Sequence, residues 1–206
     1  MLQSQTVDAA TLELLKKLMQ VPELEDFNLV GGTNLALRYG HRLSIDIDLF
    51  TNVSFVPLEL FQYIKRDFPQ AILKSSSKSM LFLYINDIKI DCVLAPFPYI
   101  APVETLEEVR MVGVQDIVAM KLAALSGRGV KKDFWDIAEL LDYYTIEEML
   151  VFFAEKYSTN EPLFVLRSMT YFDDAERNKD PDPLKKMTWK QVKTKIEKAV
   201  KQFLKG

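Results

Sequence analysis

The sequence of 206 residues contains one cysteine, Cys92, and one histidine, His41. A single cysteine excludes an internal disulfide, and one cysteine with one histidine cannot build a zinc cluster. A metal site in this chain would therefore consist of carboxylates, which favour magnesium or manganese. No run of about 20 apolar residues is present that could span a membrane. The N-terminal segment carries charged residues where a signal peptide needs an apolar core, so we expect a cytoplasmic protein.

The chain also lacks an excess of positive charge, since its formal net charge is −3 at pH 7. This excludes a general electrostatic attraction to nucleic acid, and any contact with RNA or DNA must come from a local basic patch. Hydrophobic residues make up 49% of the sequence and charged residues 27%, as in an ordinary globular protein. A chain of this length can bury a core as one domain or as two small ones.

Strand signals are concentrated in the first half of the chain. Short apolar or alternating runs predict strands at 27–30, 43–50, 80–85 and 88–94, the last two forming a hairpin. Helical spacing predicts helices at 6–20, 33–39 and 57–66. We therefore predict an α/β (α+β) domain with a mixed sheet and flanking helices over residues 1–100.

The second half of the chain has the character of helix-forming sequence. We predict helices at 115–126, 133–143, 145–157, 161–172 and 188–204, and an exposed loop at 173–186. Thr188 with Gln191 has the pattern of a capping box that opens the last helix. Residues 101–206 are therefore predicted to form a helical C-terminal domain.

Three aspartates are the main candidates for a functional site. Asp46 and Asp48 stand one residue apart in a predicted strand, so that their side chains point to the same face and repel each other. Asp91 lies on the predicted strand 88–94. A sheet that sets these two strands side by side would bring the three carboxylates to one spot, where they can hold one or two Mg²⁺ ions. The structural alternative for Asp46 and Asp48 is a salt bridge from Arg42 or Lys89.

The Gly31-Gly32-Thr33 turn lies between a predicted strand and a predicted helix. It offers backbone N–H groups and a hydroxyl at the helix N-terminus, which is a natural seat for phosphate oxygens. A phosphate seat and a carboxylate metal site are together the parts needed for nucleotidyl transfer.

This combination resembles the signature of the DNA polymerase beta-like nucleotidyltransferase superfamily. Within it, "LVGGTNLALRYGHRLSIDIDLF" and "DIVAMKLAALSGRGVKKDFWDIAELL" closely resemble the AbiEii/AbiGii toxin-type nucleotidyltransferases. Those proteins are the effector halves of bacterial abortive-infection and toxin–antitoxin systems. The resemblance covers roughly residues 27–141 and implies a nucleotidyltransferase-type fold with the active-site cleft between the two domains. Thr33 stands where the superfamily usually has serine.

The resemblance also implies roles for individual residues. Gly31, Gly32 and Thr33 would bind the triphosphate. Asp46 and Asp48 would hold Mg²⁺ or Mn²⁺, and Asp91 would complete the site as a metal ligand or as a base.

The second segment of the resemblance adds one catalytic candidate, Lys121, and further nucleotide-binding candidates. Lys121 resembles a lysine that faces the phosphates, and Lys132, Asp133 and Asp136 match a Lys-Asp-x-x-Asp segment. Arg128 lies in the turn between them. Asp133 could instead cap a helix, and Lys121 could lie on a solvated helix face.

Two of the remaining candidates have plainer interpretations. His41 is expected to have a surface or local hydrogen-bonding role, and Cys92 is expected to lie in the core. The last helix leaves two interpretations open, because eight lysines and one acid, Glu197, fall within residues 185–205. Its basic face would either track the phosphates of an RNA acceptor or serve as a solvated surface.

We therefore expect a metal-dependent enzyme that moves a nucleoside monophosphate from an NTP to an acceptor, either RNA such as tRNA or a protein. The resemblance implies a toxin role restrained by a cognate antitoxin protein. Two alternatives stay open: a catalytically silent nucleotide- or RNA-binding module, and a phosphotransferase that uses the same metal site. Retention of all three aspartates argues against the silent module.

Overall fold

The computed structural model describes residues 1–158 and 162–205, and its centre is a seven-stranded mixed sheet. The strands are β1 Asn28–Leu29, β2 Ile47–Thr51, β3 Ile72–Ser76, β4 Met80–Ile85, β5 Ile88–Leu94, β6 Glu104–Leu106 and β7 Val109–Met111. Their order across the sheet is β3-β4-β5-β2-β1-β7-β6. The pairs β2–β5 and β1–β7 are parallel, whereas the other neighbours run antiparallel. The predicted mixed sheet is confirmed.

The described residues also form eight α-helices. They are α1 Ala9–Leu18, α2 Gly31–Tyr39, α3 Pro57–Asp67, α4 Val114–Gly127, α5 Lys131–Leu140, α6 Ile146–Tyr157, α7 Pro162–Met169 and α8 Trp189–Phe203. The predicted capping box of Thr188 and Gln191 is confirmed at the start of α8, and Thr145 with Glu148 forms a second one at α6. None of the described helices is long and apolar enough to cross a membrane. The predicted start of α7 at residue 161 lies outside the described residues.

The main departures from the predicted elements concern strands. The strand predicted from residue 43 begins only at Ile47, because the preceding backbone bonds elsewhere: the Leu43 N–H donates to Asp182 and the Ser44 N–H to Thr6. Strand β3 was not predicted, since all five of its residues are exposed and show no alternation of burial. Strands β6 and β7 lie beyond residue 100, so the sheet continues past the position where we predicted a change of domain. The division into two domains stays a prediction.

Two apolar clusters form the core. One packs α1, α3 and the central strands together, and the other gathers helices α4 to α8. Cys92 is fully buried in the first cluster, as predicted. Helix α2 contributes Leu37 to the first cluster and Leu35 to the second. The glycine turn that opens α2 therefore lies where the two clusters meet.

Candidate active site

The parallel pairing of β2 with β5 places Asp48 directly beside Asp91. Asp46 precedes β2 by one residue, and 31% of its side chain is exposed, against 14% for Asp91. We refer to Asp46, Asp48 and Asp91 as the cleft aspartates. Burial, and after it the charge of Asp91, raises the pKa of the Asp48 carboxyl above its ordinary value. The ionised form of Asp48 is therefore disfavoured, first by burial and then by the charge of Asp91.

Two lysines contact the other cleft aspartates. Lys89 Nζ lies 2.5 Å from Asp91 Oδ2, and Lys132 Nζ lies 3.5 Å from Asp46 Oδ2. The second oxygen of Asp91, Oδ1, is buried and accepts no hydrogen bond from any described residue. A buried carboxylate oxygen without a hydrogen-bond donor costs free energy. This atom is therefore available to bind a cation.

At both glycines of the turn, neighbouring side chains leave no room for a Cβ atom. Gly31 has a positive φ of 71°, and a Cβ atom there would overlap the Asp48 carboxylate. A Cβ atom on Gly32 would overlap the Arg42 guanidinium. The Thr33 side chain is buried, and its hydroxyl contacts Ser44 Oγ at 2.8 Å and donates to the Asp46 carbonyl. Thr33 thus fixes the backbone that carries Asp46.

Asp136 is the centre of a buried ion network. It accepts hydrogen bonds from Arg42 Nε at 2.7 Å and Arg42 Nη2 at 2.9 Å, and lies 2.6 Å from Lys121 Nζ. His41 Nε2 is 2.7 Å from the same carboxylate. Burial alone would raise the pKa of Asp136, but the charges of Arg42 and Lys121 hold it well below its usual range.

Asp133 belongs to the same network. Lys121 Nζ is 2.9 Å from Asp133 Oδ1, and Arg128 Nε is 3.1 Å from Asp133 Oδ2. These two charges outweigh burial and lower the pKa of Asp133. Asp133 and Asp136, which we call the buried aspartates, are both fully buried. They hold the cations that face the cleft, and their predicted contact with nucleotide stays a prediction.

Three of the plainer interpretations from the sequence are wrong. Asp133 does not cap α5, because the helix begins two residues earlier and Val130 occupies the capping position. Lys121 does not lie on a solvated helix face, since it is 5% exposed. His41 is not a surface residue, since it is 2% exposed and bonds across the molecule to Asp136.

Two cavities flank the cleft aspartates. The first, of about 500 Å³, contains Gly31, Asp48, Asp91, Lys121 and Arg128 in its polar part. Its apolar part includes Phe50, Phe82, Met120 and Tyr157. The second, of about 380 Å³, is lined by Asp46 and Lys132 together with segments 42–45 and 178–182. The site therefore has one cleft with a polar end and an apolar end, which suits a nucleotide. A separate cavity lies on the side of Asp46.

The donor set of the cleft fits a hard divalent cation, because oxygen ligands are what Mg²⁺ and Mn²⁺ prefer. As the side chains stand, no three Asp, Glu, His or Cys side chains of residues 1–158 and 162–205 converge in a way that could hold a metal. Asp46 and Asp91 lean toward their lysines instead. The adjacent pair Asp48 and Asp91, with its unbonded oxygen, is the part of the site that fits a cation best.

Three residues of this site, Arg42, His41 and Lys89, were not predicted to be functional. Arg42 and His41 were not predicted to reach Asp136, and Lys89 was considered only as a salt-bridge alternative. The available signal was local: His41-Arg42 stands immediately before the Ser-x-Asp-x-Asp segment, and Lys89 shares a strand face with Asp91. The salt-bridge alternative is wrong for both cations, since Lys89 pairs with Asp91 and Arg42 with Asp136, whereas Asp46 pairs with Lys132.

Comparison with known proteins gives consistent results. A family model described as "Nucleotidyl transferase AbiEii toxin, Type IV TA system" matches residues 13–204. An uncharacterized protein of Aquifex aeolicus (strain VF5) is 30% identical over 200 residues, which cover 93% of this chain and 95% of that protein.

Solved structures are similar to this chain in fold. MenT4, a nucleotidyltransferase toxin from Mycobacterium tuberculosis H37Rv, has a TM-score of 0.59 at 14% identity, with 93% of this chain and 80% of that chain covered. JHP933 from Helicobacter pylori has a TM-score of 0.55 at 17% identity, with 97% and 94% covered. At these identities the likeness concerns the fold alone.

Proposed function

This chain belongs to the AbiEii family of nucleotidyl transferase toxins, and from that membership we propose a metal-dependent transfer of a nucleoside monophosphate from an NTP to a macromolecular acceptor. The observation that carries the proposal is the Asp48–Asp91 pair beneath the Gly31 turn, at the polar end of the nucleotide-sized cleft. In the reaction, the acceptor oxygen forms a bond to the α-phosphorus while the bond to the β-phosphate oxygen breaks. Pyrophosphate leaves, and the acceptor proton passes to Asp91 or to solvent.

The triphosphate is expected at the N-terminus of α2. No described side chain caps this helix, so the N–H groups of the glycine turn are free to donate to phosphate oxygens. Lys121 and Arg128 line the same cleft and bring positive charge to the leaving pyrophosphate. Asp133 holds both cations by its two oxygens, so that neither has to be ordered when the nucleotide arrives.

Asp48 and Asp91 would hold Mg²⁺ or Mn²⁺, with Asp46 joining them once it leaves Lys132. Such an ion, when bound, neutralises triphosphate charge and helps to activate the attacking hydroxyl. Gly31 allows the Asp48 carboxylate to approach the turn, and Thr33 fixes the Asp46 backbone. The chain thus orients its own ligands through residues that do not contact the nucleotide.

We propose that the acceptor binds on the Asp46 side, where the second cavity lies, and that RNA is the favoured class because of the basic C-terminal segment. Lys193 and Lys195 of α8 pair with Glu176 and Asp142. Five other lysines near the C-terminus form no ion pair within the described residues: Lys186, Lys190, Lys198, Lys201 and Lys205. Three of them, Lys190, Lys198 and Lys201, lie on α8, and unpaired cations along a helix suit a phosphate backbone. A toxin role with a cognate antitoxin follows from the family and is part of the proposal.

The test uses purified protein with Mg²⁺, each α-³²P-labelled NTP in turn, and total bacterial RNA plus cell protein. We expect label in one class of macromolecule and release of pyrophosphate, both lost in Asp46→Asn and Asp48→Asn proteins. The matched control is Asp87→Asn, which makes the same chemical change in the exposed β4–β5 turn. Transfer of γ-label with release of a nucleoside diphosphate would establish a phosphotransferase instead. Nucleotide binding without any transfer would establish a silent binding module.

A further inference from the structure

Lys89 contacts one of the cleft aspartates, Asp91, and has no part in the proposed reaction. It precedes Asp91 by two residues on β5, so both side chains point to the same face of the sheet. About a third of the Lys89 side chain, 32%, is exposed, and its ammonium lies against Asp91 Oδ2 at 2.5 Å. The lysine therefore occupies one oxygen of a carboxylate whose other oxygen has no described donor.

The cleft aspartates determine the charge environment of Lys89. Burial opposes its charged form, but the hydrogen bond and charge of Asp91, followed by the charges of Asp46 and Asp48, raise the pKa of Lys89 above its ordinary value. Its neighbour across the sheet on β4 is Tyr84, which is uncharged. The only partners that hold the ammonium within the described residues are thus carboxylates that also suit a divalent cation.

A divalent cation on Asp91 and an ammonium on the same carboxylate would repel each other strongly at such short range. Lysine is a point charge on a flexible four-carbon stem, so its ammonium can move while the strand stays in place. A triphosphate bound in the same cleft would supply a new anionic partner. A second lysine, Lys132, likewise contacts a cleft aspartate, since its Nζ lies 3.5 Å from Asp46 Oδ2.

We propose that Lys89 is a further nucleotide-binding residue, which exchanges Asp91 for a triphosphate oxygen when the divalent cation and the NTP bind. This inference rests on the proposed function, because it takes Asp91 as a cation ligand and an NTP as the substrate. Lys89 then has two opposite effects: it competes with the cation for Asp91, and it attracts the nucleotide.

The experiment compares the wild-type protein with Lys89→Met, which keeps the length of the side chain and removes its charge. The control is Lys74→Met, a lysine on β3 that contacts Tyr84 and no carboxylate of the described residues. Binding of Mn²⁺ alone and binding of an α,β-methylene NTP analogue at saturating Mn²⁺ are measured by calorimetry. Neither readout requires turnover or a known acceptor.

We expect Lys89→Met to bind Mn²⁺ more tightly than the wild type, because the competing ammonium is gone. We expect it to bind the analogue about tenfold more weakly, since a charge-assisted hydrogen bond to phosphate is lost. Lys89→Arg should restore most of the analogue affinity, and Lys74→Met should change neither value appreciably.

Other outcomes separate the exchange from the proposed function. Weaker Mn²⁺ binding in Lys89→Met would show that Lys89 positions Asp91 for the cation, which overturns the exchange. Unchanged affinity for the analogue would overturn it as well. A wild-type protein that binds neither Mn²⁺ nor any NTP analogue would overturn the proposed function itself.

Discussion

The same cleft contains two sets of aspartates with opposite surroundings. The buried aspartates, Asp133 and Asp136, are each held by two or more cations, and the pKa values of both are lowered despite burial. Asp48 lies beside Asp91 in the sheet, and burial with the charge of Asp91 raises its pKa even though Lys121 opposes the shift. The fold therefore surrounds identical side chains differently. Neighbouring cations balance the negative charge of the buried aspartates, whereas the cleft aspartates keep an excess of negative charge.

This difference separates a stabilising site from a binding site. Asp136 joins α5 to Lys121 of α4 and to Arg42, whose guanidinium packs under the Gly32 backbone. The buried aspartates thus connect the helices to the turn that opens α2. The cleft aspartates are left with surplus charge, which a divalent cation can neutralise.

The largest effect is expected when a compensated aspartate is removed. Asp136→Ala leaves the charges of Arg42 and Lys121 buried without their partner, and should reduce the free energy of unfolding by about 3–5 kcal/mol. Urea denaturation measures this loss in the free energy of unfolding. Asp142→Ala is the control, because Asp142 is exposed and makes only a surface ion pair with Lys195, for which we expect at most about 1 kcal/mol. Equal losses in the two variants would contradict the comparison.

The opposite pattern is expected for an aspartate with surplus charge. Asp48→Asn should lower nucleotidyl transfer by about a hundredfold or more, since it removes a ligand of the reaction's cation. The melting temperature should stay the same or rise, because ionised Asp48 is disfavoured by burial and by Asp91. Transfer assays and thermal melts on one preparation test both halves, with Asp87→Asn alongside. A variant that loses activity only because it unfolds would refute the second half.

A smaller effect is expected at the turn that connects the two sets. Gly32→Ala places a methyl group against the Arg42 guanidinium and should cost about 1–3 kcal/mol through overpacking. Gly127→Ala in α4 is the matched change, because its new methyl group meets no described atom within 4 Å. There we expect no loss, or a gain of up to about 1 kcal/mol from helix propensity. Denaturant midpoints that fall equally in both variants would argue against a required contact between Gly32 and Arg42.

The smallest effect concerns pH, where the contributions of the buried aspartates and of Asp48 to stability differ in sign. A lowered folded-state pKa means that Asp133 and Asp136 stabilise the fold fully above the ordinary value of 3.8 and lose that contribution as pH falls below it. A raised pKa means that Asp48 begins to cost stability as pH rises above 3.8. The stability advantage of Asp48→Asn should therefore vanish in acid and develop with rising pH. Urea melts at intervals of about one pH unit between pH 3 and 7 measure this difference in stability. A stability advantage of Asp48→Asn that does not change with pH would exclude electrostatics as its cause.

Several parts of the fold followed directly from the sequence. The hairpin β4–β5 has the predicted bounds, Cys92 lies in the core, and Thr188 opens α8. These features depend on neighbours in the chain, such as alternation along a strand or a capping residue three positions from its partner. The family was also recognisable, because the glycine turn and Asp-x-Asp form a short contiguous segment.

Tertiary structure decided which charges are compensated. Nothing adjacent in the sequence indicates that Arg42 and His41 bury themselves against Asp136 of a distant helix, or that Asp48 pairs with Asp91 through a parallel strand contact. Strands β3, β6 and β7 were likewise not predicted, since β3 is exposed throughout and β6 and β7 are only three residues long. The sequence by itself determined the family, the central hairpin and the candidate aspartates, because each is written in consecutive residues. Whether an aspartate stabilises the fold or awaits a cation depends on charges that only folding brings within a few ångströms of it.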